Sequence, residues 1–151
     1  MKHNSLTYEE ALYKSAAYCS QSEHCISELK NKLTQWNVTE SDQLRIIRYL
    51  MEEKYIDEKR FAIAYVKDKF RYNKWGKIKI RLELNLKRIE KELIEAALET
   101  IDSDEYSEMI IRLAKDKEKK LTYRNEYERK GKLYRFLAGK GFEMDVISRL
   151  L

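Results

Sequence analysis

Three stretches of the chain repeat one pattern of apolar and polar positions: SELKNKLTQWNV (27–38), IKIRLELNLKRI (78–89) and GKLYRFLAGKGF (131–142). Aligned on Leu33, Leu84 and Leu137, which lie 51 and 53 residues apart, each has an apolar residue four positions upstream (Leu29, Ile80, Leu133). Each has another five positions downstream (Val38, Ile89, Phe142). Residues four apart share one face of a helix. Just before the downstream apolar residue stands Asn37, Arg88 or Gly141. Gly and Asn readily take the left-handed conformation that ends a helix, so each stretch predicts a helix and its stop. Arg88 departs from that pattern, and its stop is the least defined of the three.

The flanks continue the theme. LRIIRYL (44–50), ELIEAAL (92–98) and DVISRLL (145–151) follow the stops with helical apolar spacing. Residues 12–19, 61–72 and 106–121 precede them, and in the second of these Phe61, Ala62, Tyr65, Val66 and Phe70 form a stripe. Asp57 is placed to cap that helix, Thr39 and Glu143 open the helices after two of the stops, and Asp104 and Glu105 suit the positive end of another. The expected fold is all-α: an elongated tandem array of three three-helix repeats, about nine helices, over roughly 5–53, 55–102 and 103–151. Composition agrees. There is no Pro and only four Gly, too few turn residues for a β-rich domain, and 38% of residues are charged, which implies a thin core and a large surface.

Charge is distributed in blocks. Residues 67–91 carry ten Lys/Arg against three Asp/Glu, 92–111 carry none against seven, and 112–140 carry eleven against four. Two basic blocks in one small chain favour a polyanionic or mixed-charge partner over solvated faces that merely neutralise one another. In the first block Lys67, Lys69, Arg71, Lys74, Lys77, Lys79, Arg81, Lys87 and Arg88 surround Tyr72 and Trp75, and Gly76 breaks the helix so that Asn73, Lys74 and Trp75 form an exposed corner. Trp75 there serves the core, a phosphate or acidic-groove contact, or both. In the second block Lys119, Lys120, Arg124, Lys130, Lys132 and Arg135 are the candidates, with Tyr123, Tyr127 and Tyr134 expected to form one packing stripe.

Catalytic signatures are missing. There is no phosphate-cradling glycine loop and no nucleophile elbow, and the carboxylate clusters fall at helix ends. Cys19, His24 and Cys25 lack a fourth ligand at zinc spacing, and His3 is distant. Cys19 and Cys25 are expected as free thiols. No cofactor, metal, enzymatic activity, secretory signal or membrane span is expected, and the chain is read as a cytoplasmic monomer.

The run YLMEEKYIDEKRFAIAYVKDKFRYNKWGKIKIRLELNLKRI (49–89) resembles the RecX family, bacterial regulators of the RecA recombinase. The resemblance rests on Leu50, Tyr55, Ile56, Asp57, Glu58, Arg60, Phe61 and Ala62, then Gly76, Glu83, Leu84, Lys87 and Ile89. Glu28, Leu29, Lys32 and Leu33 resemble the first repeat of that family, and Gly141 and Phe142, following Leu137, resemble its C-terminal ending. Arg88 stands where the family usually has Gly. The resemblance implies tandem three-helix units that bind RecA filaments on single-stranded DNA, touching DNA directly or through RecA. It implies damping of strand exchange, ATP hydrolysis and co-protease activity, within DNA repair, recombination and the SOS response. The alternative reading is a stand-alone basic helical-repeat protein that binds nucleic acid without RecA. If Leu33, Leu84 and Leu137 are equivalent core positions, replacing any one by Ala should cost about 2–5 kcal/mol in urea unfolding, the range for a buried Leu.

Overall fold

The computed structural model describes residues 6–151; His3 lies outside them. Among the described residues there are nine helices and no strand: α1 (Tyr8–Gln21), α2 (Ile26–Gln35), α3 (Glu40–Glu52), α4 (Glu58–Arg71), α5 (Lys77–Leu86), α6 (Lys91–Leu98), α7 (Ser103–Glu118), α8 (Glu126–Gly139) and α9 (Met144–Leu150). The extensively packed helix pairs all fall within successive triplets, α1–α3, α4–α6 and α7–α9. The chain is therefore a tandem array of three-helix units. No described helix is long and apolar enough to cross a membrane.

Each triplet opens on a side-chain cap. Thr7, Asp57 and Asp102 accept hydrogen bonds from the backbone N–H of Glu10, Arg60 and Glu105, satisfying donors that a helix start leaves open. Thr39 caps α3 in the same way.

The repeated pattern of the sequence proves to be a helix-ending turn. Val38, Ile89 and Phe142 donate their N–H to the carbonyls of Leu33, Leu84 and Leu137 at 3.0, 3.2 and 3.2 Å. The residues just before them take positive φ: Asn37 at 59°, Arg88 at 64° and Gly141 at 98°. This is the Schellman closure, in which a left-handed residue lets the chain fold its next apolar side chain onto the last turn. Leu29, Leu33, Ile80, Leu84, Leu133 and Leu137 are buried, as are Val38, Ile89 and Phe142. Arg88 adopts the turn although it is not Gly or Asn, so the stop that the sequence left least defined is fully formed.

The apolar interior divides in two. One cluster lies within α1–α3 and the α3–α4 turn, built on Ala11, Leu29, Leu33, Ile46 and Leu50. The other runs through α4–α9 without a break, with Cys25 joining it from the first unit. Tyr106 of α7 carries that continuity, its ring 5.6 Å from that of Phe70 and 5.4 Å from that of Phe142.

The joints differ accordingly. Between the second and third units Gly76 N–H donates to the Lys140 carbonyl at 2.8 Å and Ile78 N–H to the Gly141 carbonyl at 2.9 Å. The backbones touch. A Cβ on Gly76 would lie 2.3 Å from the Gly141 carbonyl carbon, and one on Gly141 would lie 2.5 Å from Lys79 Cβ. Between the first and second units the corresponding contacts run through side chains. Ile26 N–H donates to Glu58 Oε2 at 2.8 Å, and Ser27 Oγ to the Lys87 carbonyl at 2.9 Å. Arg60 Nε meets Glu23 at 2.7 Å, and Lys87 Nζ meets Glu28 at 2.9 Å.

Two expectations are corrected. Tyr123, Tyr127 and Tyr134 do not form one packed stripe: Asn125 caps α8, so Tyr123 precedes the helix, and Tyr127 is 89% exposed. The 73–75 corner is only partly exposed, because Trp75 packs on the second core and Gly76 is sealed against the third unit. Arg88 and Gly141 occupy equivalent turns in different surroundings, so substitutions should act in opposite directions. Arg88→Gly relieves about 1–2 kcal/mol of left-handed strain, offset by about 0.4–1 kcal/mol of unfolded-chain entropy, and should raise urea stability by about 0.5–1 kcal/mol. Gly141→Ala adds a Cβ where φ is 98° and the neighbouring chain is within contact, and should lower stability by about 1–3 kcal/mol.

Candidate interaction surface

The structure sorts the candidate cations into three groups. The first is bound to the protein's own carboxylates. Arg81 pairs with Glu95 through two hydrogen bonds, at 2.7 and 3.1 Å, and Arg71 meets Glu105 at 3.4 Å. Glu95 and Glu105 belong to the acidic block 92–111, so that block partly neutralises the basic one before it. Lys87 pairs with Glu28 across the first joint. Arg124 and Lys132 share Glu128 at 3.0 and 3.5 Å, and Lys132 also donates to the Thr122 carbonyl at 2.7 Å.

The second group lies on aromatic rings around the second joint. Lys79 Nζ is 4.6 Å and Lys69 Nζ 5.3 Å from the centre of the Trp75 ring. Lys77 Nζ is 4.9 Å from that of Tyr106. The Lys77 N–H donates to Tyr106 Oη at 2.9 Å, and Tyr106 Oη in turn donates to Glu143, so this tyrosine is fixed from both sides. Burial, and then the hydrogen bond to Glu143, push its phenol above the ordinary range. Lys74 stands at the turn in the left-handed conformation, φ 59°, just before Trp75, whose N–H donates to the Lys69 carbonyl, and Gly76, whose N–H donates to the Lys140 carbonyl.

The third group is solvated. Lys67, Arg88, Lys119, Lys120, Lys130 and Arg135 are exposed, and no ion pair involves them among the described residues. Lys130 and Arg135, with Arg124, border a groove of about 590 Å³ between α8 and α9, floored by Tyr127, Tyr134 and Ile147.

Sequence reasoning missed two features. Lys140, beside the Gly141 turn, enters the second group: its Nζ is 5.7 Å from the Phe136 ring, which Lys117 Nζ also approaches at 4.9 Å. Burial, then repulsion from Lys79 and Lys74, hold the Lys140 ammonium below its ordinary pKa. Its equivalence to Lys87 in the repeat register was the available signal. The other feature is apolar. Ile78, Leu82 and Leu86, at four-residue spacing along α5, are 47%, 55% and 69% exposed, while Ile80 and Leu84 behind them are buried. The central helix of the central unit therefore presents an apolar stripe to solvent.

Among the described residues no group of three or more His, Cys, Asp or Glu side chains is placed to hold a metal. His24 stacks on Tyr18 at 3.8 Å and bonds Glu28 at 2.9 Å. Cys19 and Cys25 are free and buried. Burial pushes the Cys19 thiol up to about 11.

Comparison with known proteins gives a consistent result. The family model for the second three-helix domain of RecX matches residues 57–98, and that for the third matches residues 104–151. A protein named regulatory protein RecX from Clostridium botulinum is 34% identical over 122 residues, covering 80% of this chain and 57% of that one. One of the same name from Vibrio parahaemolyticus is 31% identical over 132 residues, covering 87% of this chain and 83% of that one. The chain spans a little over half the length of several such relatives, including those from Clostridium botulinum and Leuconostoc mesenteroides. The crystal structure of RecX from Lactobacillus salivarius superposes with a TM-score of 0.86 at 23% identity, covering 95% of this chain and 93% of that one.

The first joint should be pH-sensitive. Burial pushes the Glu28 carboxyl up, but hydrogen bonds from His24 and Lys87 outweigh it and hold the group below 4.5, its ordinary value. A depressed carboxyl contributes stability that is present above its unfolded pKa and lost as pH falls through the folded one. Glu28→Gln should therefore cost about 1 kcal/mol at pH 7, the net scale of one ordinary hydrogen bond. The gap to the unmodified protein in urea titrations should close as the pH is taken below 4.5.

Proposed function

Because the chain belongs to the RecX family, we propose that it is a non-enzymatic regulator that binds RecA filaments on single-stranded DNA in the cytoplasm and restrains RecA activity. The observation that carries this reading is the continuous core of α4–α9, which holds two cationic units in one fixed relation. Filament subunits repeat at fixed spacing, so a partner spanning neighbours gains from modules that are already aligned. Each contact can be weak, because joined contacts act at high effective concentration.

The surface offers two kinds of contact on that platform. The exposed Ile78, Leu82 and Leu86 suit a protein surface, since helix residues at this spacing enter apolar grooves together. The lysines around Trp75 and the solvated Lys119, Lys120, Lys130 and Arg135 suit acidic protein or DNA phosphates. Residues 5–53, 55–102 and 103–151 are the proposed repeats, and a monomer is the proposed active species.

The protein should lower the single-stranded-DNA-dependent ATPase of a matched RecA at substoichiometric amounts. Reversing charge at Lys74, Lys77 and Lys79 together should weaken that inhibition at least tenfold while the circular dichroism spectrum stays the same. An ATPase rate that the unmodified protein leaves untouched would refute the filament reading. Strong, salt-dependent binding to bare DNA with no RecA effect would favour the stand-alone alternative.

A further inference from the structure

We propose that Lys74, Lys79 and Lys140 form a phosphate-binding notch across the joint of the second and third units, taking one or two adjacent phosphates of single-stranded nucleic acid. This rests on the filament reading only for the source of the nucleic acid.

The three lysines come from three separate places: the α4–α5 turn, the first turn of α5 and the α8–α9 turn. Backbone hydrogen bonds bring them together, the Lys140 carbonyl accepting from Gly76 and the Gly141 carbonyl from Ile78. Gly76 and Gly141 permit that approach, since a Cβ on either would collide with the opposing chain. The cluster is therefore preset by the fold.

It is also uncompensated. None of the three lysines makes an ion pair with a carboxylate among the described residues, whereas Arg71, Arg81 and Lys87 of the same block each do. All three are only partly exposed, and burial first, then repulsion from Lys79 and Lys74, makes Lys140 easier to deprotonate than an ordinary lysine. Like charges gathered at a partly desolvated place destabilise the free protein, and an anion seated among them removes that cost. Lys74 adds a second strain, a left-handed backbone in a residue other than glycine, of the kind that collects at ligand sites.

The occupant follows from the geometry of the donors. An ammonium group presents a compact point charge with three rotatable donors and no planar fork, which suits tetrahedral phosphate. The Trp75 ring carries Lys79 and Lys69, so it serves as a support for the cations rather than a free platform for a base. Recognition would then be of the backbone, tolerant of sequence. The continuation of a strand past the notch is provided for by Lys117, which shares the Phe136 ring with Lys140.

The test uses the full chain, a fluorescent oligo-dT strand and salt titration. The triple variant Lys74→Gln, Lys79→Gln, Lys140→Gln should bind about tenfold more weakly at 0.1 M salt. Its plot of log affinity against log salt should flatten by about 0.7–1.4, or 0.7 per phosphate released. A control removing exposed cations of the first unit, Lys30→Gln with Arg48→Gln, should leave the slope unchanged. In the unmodified protein, Nζ-detected NMR should show Lys140 titrating below the bulk of the lysines and moving upward when oligo-dT is added.

An unchanged slope in a folded triple variant would overturn the proposal. So would pyrophosphate shifting Lys140 while oligo-dT does not, which would assign the notch to a free phosphate compound. Loss of RecA inhibition with unchanged oligo-dT binding would overturn the notch and leave the filament reading standing. Loss of oligo-dT binding with full inhibition would support the notch and place the RecA contact elsewhere.

Discussion

The turn that closes the second helix of each triplet is the contact from which the array follows. Helices α5 and α8 end with carbonyls lacking partners in their own helix, and α2 and α5 begin with N–H groups in the same position. The left-handed residue satisfies the first need locally, by returning Ile89 to Leu84 and Phe142 to Leu137. It also leaves the carbonyls of Lys87, Lys140 and Gly141 pointing outward, where the start of the preceding unit's central helix can use them. One local geometry thus builds the core of its own unit and the seat for its neighbour. The partial positive charge of a helix start facing carbonyl oxygens adds to the fit.

The two seats are not equivalent, and the difference comes from two residues. Where glycines meet at Gly76 and Gly141, backbone binds backbone and the apolar core passes through the joint. Where Cys25 and Arg88 stand in their places, the contacts given by Ser27, Glu28, Glu58 and Lys87 run through side chains. Burial raises the Glu58 carboxyl above its ordinary pKa, so its charged form is held there at a cost. Polar contacts of this kind respond to pH and salt in a way that a shared apolar core does not. The second and third units share one core, and the first is joined to it mostly through polar groups, with Cys25 as its apolar contact.

Much of this was legible in the residues. The i, i+4 pairs and the stops located the central helix of each triplet, because Schellman closure imposes a fixed distance from the anchor leucine to the next apolar residue. Arg88 was the hard case: propensity argues against a left-handed arginine, and the tertiary seat overrode it. The surface was less legible. Charge counts along the chain cannot tell Arg81, which is bound to Glu95, from Lys79, which rests on Trp75. Lys140 stood apart in sequence from the first basic block and joins it only through the fold. The α5 stripe was readable in principle. Apolar residues at 78, 80, 82, 84 and 86 cannot all share one helix face, so some of them had to meet solvent, and 78, 82 and 86 do.

That stripe lies on α5, and the lysine cluster sits at the start of α5 and on the α8–α9 turn bonded to it, and their joint placement bears on how a small protein could act on a large polymer. Ordering loose side chains or swinging domains on binding would consume much of the energy of a modest contact area. Here the backbone-bonded joint and the helix that starts at it carry both the exposed apolar residues and the uncompensated cations. The exposed leucines lose no partner when they are covered, since they have none among the described contacts of the core. The lysines shed mutual repulsion when they meet an anion. Both terms favour the bound state because the free state is left with unmet surface, and the glycine joint holds that surface in place.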